Sequence, residues 1–269
     1  MYRKDHGVVS FNQDDQLSET NRNEIKAYGE ERPDDTFADS LINKEDWYPL
    51  LTHQMKWVVD VVDEMLGEGR DLYALGVGTG FELRLLLRRR SFERVFASDI
   101  SPMATSLNAR ALKEFSGELG LFASSFELAP IKKYPGSIGL VFQALHHAPD
   151  AHAALESLLD HCFDHLVIVE PLTNPLFKIL ARYDLVQRVE YSGTRPDWIA
   201  LPRVEDIAAK RGYRVASRTW WEVPPYFSPK WLNERPWLWR PFYRFVDGFS
   251  RATNVASFGS MGAIKLSRS

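Results

Sequence analysis

The stretch Leu72-Tyr-Ala-Leu-Gly76-Val-Gly78-Thr-Gly80 decides the fold class of this 269-residue chain. A short apolar segment runs directly into three glycines at alternate positions, and a helix-like pattern begins at Phe81. Glycine lets the backbone turn tightly and lets a ligand lie against it without meeting a Cβ atom. A strand, a glycine turn and a helix in this order predict an α/β domain with a ligand at the turn.

The spacing of the glycines narrows the class of ligand. The dinucleotide fingerprint G-x-G-x-x-G would place its third glycine at position 81, where this chain has Phe81. This disfavours a nicotinamide oxidoreductase, and no Gly-Lys-Ser/Thr sequence is present to form a phosphate loop. Asp99 ends the next predicted strand, where a carboxylate can accept hydrogen bonds from both hydroxyls of a ribose. Together the two features point to a ligand that contains adenosine.

Strands and helices alternate along the rest of the chain. A helix with apolar residues at spacings of three and four precedes the turn, from Trp47 to Leu66. The alternation predicts a Rossmann-like, doubly wound, mostly parallel seven-stranded sheet with helices on both faces, plus a helical and aromatic lid. The predicted strands are 71–75, 94–98, 120–124, 138–143, 165–170, 213–223 and 255–266, and the main helices after the turn are 81–90, 102–115, 151–162 and 203–210.

Three parts of the chain differ in composition. Residues 1–45 are polar and acid-rich, and we expect a mobile N-terminal arm or lid with at most one short helix near Glu24–Glu30. Residues 46–171 are predicted to form the cofactor-binding core. Residues 172–269 are predicted to supply substrate-side helices, an aromatic lid and the final strands of the same sheet.

Composition limits the partners and the compartment. Lys and Arg number 33 against 36 Asp and Glu, so the chain lacks the basic excess of nucleic-acid binders. Its one cysteine, Cys162, excludes a disulfide within the chain, and we expect this thiol to be a core residue. The segment Met1–Gln16 lacks the apolar run of a signal peptide, and no stretch approaches the roughly 18 apolar residues of a membrane span. We therefore expect a cytoplasmic protein; its oligomeric state leaves no signal in the sequence.

Four segments of the core form a recognisable set. They are Gly76-Val-Gly-Thr-Gly80, Asp99-Ile-Ser-Pro-Met103, Ser124-Ser-Phe-Glu-Leu-Ala-Pro130 and Ile138-Gly-Leu-Val-Phe-Gln-Ala-Leu-His-His-Ala-Pro-Asp150. This set resembles the class I S-adenosylmethionine-dependent methyltransferases, particularly their small-molecule branch, in which Ala-Leu-His-His-x-Pro-Asp is common. The resemblance extends over residues 46–171. It implies transfer of a methyl group from S-adenosyl-L-methionine to a small-molecule acceptor.

The resemblance also implies which residues hold the cofactor. The glycine turn would lie along its methionine part, the following strand end would bind the ribose, and two further loops would border the adenine and the sulfonium. These residues are, in that order, Gly76, Val77, Gly78, Thr79 and Gly80; Asp99 and Ile100; Ser125 and Phe126; Gln143 and Leu145. The chain departs from the family at Ala74, Ser125 and Gly139, where acidic residues are usual.

Catalytic groups are harder to predict, because methyl transfer from a sulfonium mainly requires alignment and needs a base only for some acceptors. His146 and His147 follow the fourth predicted strand, and histidine has a pKa suited to a general base. Glu170 ends the fifth strand at the same edge. These three are the candidate catalytic residues; the alternatives are loop caps or packing beneath the cofactor. Tyr28 and Tyr191 are further candidates, and no metal site is predicted because no zinc-type spacing joins the histidines.

Residues 220–245 are rich in Trp, Tyr, Phe and Arg. This stretch fits the core of a lid, an apolar substrate pocket over the cofactor, or peripheral contact with a membrane. The last two interpretations favour a hydrophobic or lipid-linked acceptor. An RNA or protein methyltransferase is disfavoured by the acidic balance and by Gln143-Ala-Leu-His in place of Asn/Asp-Pro-Pro-aromatic. The missing carboxylates leave open a non-catalytic protein that keeps the fold for binding or assembly.

Overall fold

A computed structural model describes residues 3–5, 8–13, 15–29, 49–131, 136–161, 163–183, 197–222, 235–254 and 259–268. These residues form one nine-stranded sheet of order β1-β2-β5-β4-β3-β6-β7-β9-β8. The strands are β1 Arg3–Asp5, β2 Val8–Ser10, β3 Asp71–Leu75, β4 Arg94–Asp99, β5 Glu118–Ala123, β6 Ser137–Phe142, β7 His165–Pro171, β8 Tyr213–Trp220 and β9 Met261–Arg268.

Eight α-helices connect or flank these strands in the described residues. They are α1 Glu19–Gly29, α2 Pro49–Leu66, α3 Phe81–Leu87, α4 Pro102–Ala111, α5 Ala151–Asp160, α6 Pro175–Arg182, α7 Leu201–Lys210 and α8 Pro236–Asn254. Two 3₁₀ turns, Phe126–Leu128 and Leu145–His147, follow β5 and β6. No described helix combines the length and the apolar content needed to cross a membrane.

The centre of the sheet is parallel and buried on both faces, as the doubly wound prediction requires. All five residues of β3 are buried, and this strand pairs in parallel with β4 and β6. Leu72 and Ala74 belong to the core under α2 and α3, whereas Tyr73 and Leu75 belong to the core under α5 and α7. Alternate residues of a strand face opposite sides, so each side of the sheet buries one apolar layer.

The carboxyl ends of the central strands meet at one edge of the sheet. β9 is antiparallel to both β7 and β8, so β8 runs in the same direction as the central strands. The residues that follow β3, β4, β6, β7 and β8 therefore share one edge, where ligands bind in open α/β sheets.

The sheet has two strands more than the seven predicted, because β1 and β2 come from the N-terminal arm. Val9 pairs with Phe122 and Ser10 with Ala123 of β5. Helix α1 also begins earlier than expected, and Ser18 Oγ accepts the N–H of Asn21 at its start. Three-residue strands carry no usable period in sequence, since their pairing depends on the edge that β5 offers.

Helix α8 is the second difference from the prediction, which placed a helical and aromatic lid in this part of the chain but gave no helix bounds within residues 224–245. Its sequence has Pro236 at the start and Pro241 inside, and its apolar residues are aromatic and interleaved with arginine. Pro241 argues against a helix in the sequence, although the aromatic residues and arginines recur at helical spacing. Helix α8 packs against the end of β8, with Trp239 buried.

Candidate active site

The glycine turn after β3 has the left-handed backbone that its sequence predicts. Gly76, Gly78 and Gly80 all have positive φ, at 68°, 51° and 81°. A Cβ atom on Gly76 would lie 2.3 Å from Ala144 Cβ, and one on Gly80 would lie 2.2 Å from Asn108 Oδ1. A Cβ on Gly78 would meet nothing within 4 Å. The outer glycines are therefore required by packing, whereas the face at Gly78 is open to a ligand. Val77 and Thr79 are both nearly buried within the turn.

Asp99, the residue predicted to bind the ribose, lies against this turn. Its Oδ2 accepts a hydrogen bond from the N–H of Gly78 at 2.9 Å, and its Oδ1 accepts one from the N–H of Ser101 at 2.9 Å. Burial raises the pKa of Asp99, and these two backbone N–H groups act in the opposite direction by stabilising the carboxylate. The contact joins the ends of β3 and β4 into one wall.

The predicted adenine-side residues lie beside the same wall. Phe126 Cζ would be 3.3 Å from a Cβ on Gly76, so its ring faces the glycine turn. Asn12, which sequence reasoning missed, donates from Nδ2 to the carbonyl of Ile100 at 2.7 Å. Its Oδ1 accepts the N–H of Ser125 at 2.9 Å. This buried amide from the arm ties together the two loops that are predicted to border the adenine.

The exit of β6 is held by Glu170. Its side chain is fully buried, and Oε1 accepts the N–H groups of Ala144 and Leu145 at 2.9 and 2.7 Å. Its Oε2 lies 2.6 Å from His146 Nδ1 and 3.4 Å from the N–H of the same residue. Leu145 is fully buried. Glu170 thus fixes the loop and the imidazole, and its two oxygens face protein donors.

The two histidines take different partners. His146 is 7% exposed and has its Nδ1 on Glu170. His147 Nδ1 lies 3.2 Å from Glu24 Oε1 of α1. The two rings are 4.2 Å apart between centroids. The pair therefore connects the arm to the end of β7, with His146 on the inner side.

Glu222 is a second residue that sequence reasoning missed. It follows β8 at the carboxyl edge, and its Oε2 lies 3.5 Å from Gln143 Nε2. Gln143 itself has a φ of 49°, unusual for a residue other than glycine, at the exit of β6. Burial, with the nearby charge of Glu82 in α3, raises the pKa of Glu222 to about 7, and its contact with Gln143 lowers it. Within the described part of the chain, neither Glu222 nor Glu82 forms an ion pair with Lys or Arg.

A small aromatic pocket opens beside Glu222, between α2, the end of β8 and α8. Trp220 and Trp221 precede Glu222 directly, and Trp220 Nε1 is buried with no hydrogen-bond partner among the described residues. Burial raises the pKa of Tyr243, so its hydroxyl stays protonated. The lining residues are Gln54, Trp57, Val58, Trp220, Trp221, Tyr243, Val246, Asp247 and Ser250.

The departures from the family pattern have local causes. A Cβ on Gly139 would lie 2.7 Å from Leu166 Cδ1 and 3.1 Å from Phe163, so no aspartate fits there. Ala74 is fully buried inside β3. The sheet is therefore packed with apolar groups where the family usually places acids. Cys162 and Tyr191 lie outside the described residues, as does the side chain of Tyr28.

One group of possible metal ligands occurs among the described residues, formed by Asp150, His152 and Asp197. Asp150 caps α5 by accepting the N–H groups of His152 and Ala153, and Asp197 accepts the N–H of Ala151. His152 Nε2 accepts the N–H of Ala200, so Nδ1 carries the ring proton and faces Asp197 at 3.8 Å. These contacts favour a helix-capping network over a metal centre.

Solved structures share this architecture at low sequence identity. Magnesium protoporphyrin IX methyltransferase from Synechocystis PCC 6803, with bound S-adenosylmethionine, matches at 14% identity and a TM-score of 0.56, over 94% of this chain and 99% of that one. An O-methyltransferase family protein from Burkholderia thailandensis matches at 15% and 0.58, over 92% and 63%. The [4+2]-cyclase SpnF matches at 14% and 0.51, over 79% and 81%.

No protein-family model matches the sequence, and no curated protein does. The structural neighbours and the nine-stranded topology agree with the fold that the glycine turn predicts. The chain therefore has the fold of the class I S-adenosylmethionine-dependent methyltransferases.

Proposed function

We propose that this protein transfers a methyl group from S-adenosyl-L-methionine to a small, hydrophobic or lipid-linked acceptor by direct displacement. The observation that carries the proposal is the meeting of the glycine turn, Asp99, Phe126 and Gln143 at one edge of the sheet. An enzyme of this type needs a site that holds an adenosine group at one end and an electrophilic methyl group at the other. The cofactor supplies that methyl group on its sulfonium.

The residues present fit this cofactor. Gly78 leaves open the space that a side chain would fill, and Asp99 retains acceptor capacity for ribose hydroxyls beside its two backbone bonds. Ile100, Ser125 and Phe126 border the adenine in this proposal. The wall is thus polar at the ribose and apolar at the base, as an adenosine requires.

The opposite end of the cleft is negatively charged. Glu82 is close enough to raise the cost of ionising Glu222, and no basic side chain of the described residues neutralises Glu222. S-adenosylmethionine is cationic at both its sulfonium and its ammonium. The two glutamates therefore supply the charge that Ala74 does not, near Gln143, where the resemblance places the sulfonium.

In the proposed mechanism His146 takes up the proton when the group to be methylated is a hydroxyl or an ammonium. Glu170 accepts from His146 Nδ1, which leaves Nε2 as the basic nitrogen of the neutral ring. Glu170 is a positioning residue, since it lies behind the histidine and has no exposed surface. His147 positions α1 through Glu24.

The aromatic pocket supports the acceptor class. Its walls are Trp and Tyr rings, which bind flat or apolar groups, and Trp220 Nε1 offers one hydrogen bond. Two of its residues directly precede Glu222, so the pocket adjoins the charged end of the cleft. As it stands the pocket has room for about one water molecule, so an acceptor would place its apolar part among the tryptophans only after these side chains move apart.

The Glu222→Gln variant is expected to bind S-adenosylmethionine about tenfold more weakly at pH 8 than the unaltered protein. The wild-type affinity should fall as the pH drops through about 7, because protonation removes the charge that favours a cation. S-adenosylhomocysteine lacks the sulfonium charge and should show a smaller dependence. Calorimetric titrations at several pH values measure both ligands. The exposed Glu64→Gln variant is the control, and equal pH profiles for all three proteins would refute the charge role.

The proposed function as a whole is tested in two steps. Calorimetry should detect binding of S-adenosylmethionine, and incubation with methyl-labelled cofactor and fractionated extract should move label into the lipid or small-molecule fraction. Binding without transfer to any fraction would favour the alternative, a non-catalytic protein of the same fold. Label found in RNA or protein would show that the methyl acceptor is a macromolecule and would contradict the proposed small-molecule acceptor.

A further inference from the structure

The outer face of α8 exposes four large aromatic side chains, here called the aromatic face. Trp237 and Phe245 are each 71% exposed, Phe242 is 48% exposed and Phe249 is 43% exposed. At 3.6 residues per turn these four lie within an arc of about 140°. The buried Trp239 lies on the other side of the helix. Solvent exposure of so many large rings on one face marks a contact site.

Arginines flank the aromatic face on one side. Arg240, Arg244 and Arg251 fall within an arc of about 40° on the same helical projection. Arg251 pairs with Asp247 at 3.0 Å, whereas Arg240 and Arg244 are exposed and form no ion pair with any described residue. The helix carries three arginines and one acidic residue, although the whole chain has a formal net charge of −3. Positive charge is thus concentrated beside the exposed rings.

We propose that α8 docks on the surface of a membrane that contains anionic lipids. Tryptophan and phenylalanine rings insert at the level of the headgroups, and arginines beside them pair with lipid phosphates. The negative surface potential of such a membrane attracts this helix and repels the acidic remainder of the chain. The charge pattern therefore selects both the partner and the orientation.

Docking in this orientation would also bring the aromatic pocket close to the membrane surface. The inner side of α8 contributes Tyr243, Val246 and Ser250 to that pocket, while the aromatic face lies on the opposite side of the helix. One helix would then lie between the lipid and the acceptor site. This step rests on the proposed function; the docking itself does not.

The test is co-sedimentation of the full chain with phosphatidylcholine vesicles, with and without about one third phosphatidylglycerol. We expect binding to the anionic vesicles at least tenfold tighter than to the neutral ones, and weaker binding as salt screens the charges. The Trp237→Ser/Phe245→Ser variant and the Arg240→Gln/Arg244→Gln variant should each reduce binding about tenfold or more. Trp237→Phe should keep it.

Matched controls separate this inference from its alternatives. Arg110→Gln/Arg214→Gln removes the same charge elsewhere on the surface and should leave vesicle binding unchanged. Calorimetric binding of S-adenosylmethionine to each variant reports on the cofactor site independently of the membrane. Equal binding to both vesicle types would overturn the proposal. So would a dimer in sedimentation velocity that the Trp237→Ser/Phe245→Ser variant dissociates, because a second copy would then cover the aromatic face.

Discussion

Replacing Glu170 with alanine is expected to lower the free energy of unfolding by about 3–5 kcal/mol. The side chain is fully buried and receives the N–H groups of three successive residues as well as the ring of His146. Its removal leaves those donors without a partner in a site closed to water. Urea unfolding followed by circular dichroism measures the change.

The Glu64→Ala variant is the control for this prediction. Glu64 pairs with Arg218 on the surface, and its side chain is 63% exposed, so its loss should cost less than about 1 kcal/mol. Equal losses in the two variants would contradict the structural role of Glu170. Loss of methyl transfer without loss of stability would instead limit the role of Glu170 to positioning His146.

The second large effect is expected at Gly78. Alanine there should fit the unliganded protein, because its Cβ would meet nothing within 4 Å, at the modest cost of a left-handed residue. The added methyl group would nevertheless occupy the space proposed for the cofactor. We therefore expect affinity for S-adenosylhomocysteine to fall tenfold or more in a calorimetric titration.

Gly136 provides the matched control for this substitution. It has a φ of 78° and equally open surroundings, but it precedes β6 at the opposite edge of the sheet. Gly136→Ala should therefore carry a similar backbone cost and leave cofactor affinity unchanged. If both variants bind the cofactor as the original chain does, the open face of the glycine turn is not its binding surface.

The central fold was predictable because its signals are local. The apolar strand β3, its glycine turn and the periodic helix α2 each lie within about twenty residues, and neighbouring units repeat the pattern. The strands of the arm were not predictable, since three residues pair only after β5 has formed an edge. Helix α8 was missed because Pro241 lies inside it, although its aromatic residues and arginines recur at helical spacing.

The candidate site likewise contains residues that could be predicted from the sequence and residues that could not. The glycine turn and Asp99 were found from sequence because their types and spacing match a known chemistry, and the structure brings them within 2.9 Å. Glu222 had no such signal. It is 79 residues from Gln143 in sequence, and nothing in Trp-Trp-Glu marks a carboxylate that reaches the exit of β6. Only the order of the strands, with β9 inserted antiparallel, brings it there.

The hydrogen bonds of Asn12 determine when during folding one side of the cleft is completed. Its two hydrogen bonds span 88 and 113 residues, so the amide leaves the ribosome long before either partner exists. Contacts of such separation form late in folding, after the chain between them has been ordered. The side of the cleft predicted to border the adenine is consequently completed by a segment that is synthesised before both of its partners. A folding intermediate that contains the central strands alone would have the glycine turn and yet lack the Asn12 hydrogen bonds that join Ile100 to Ser125.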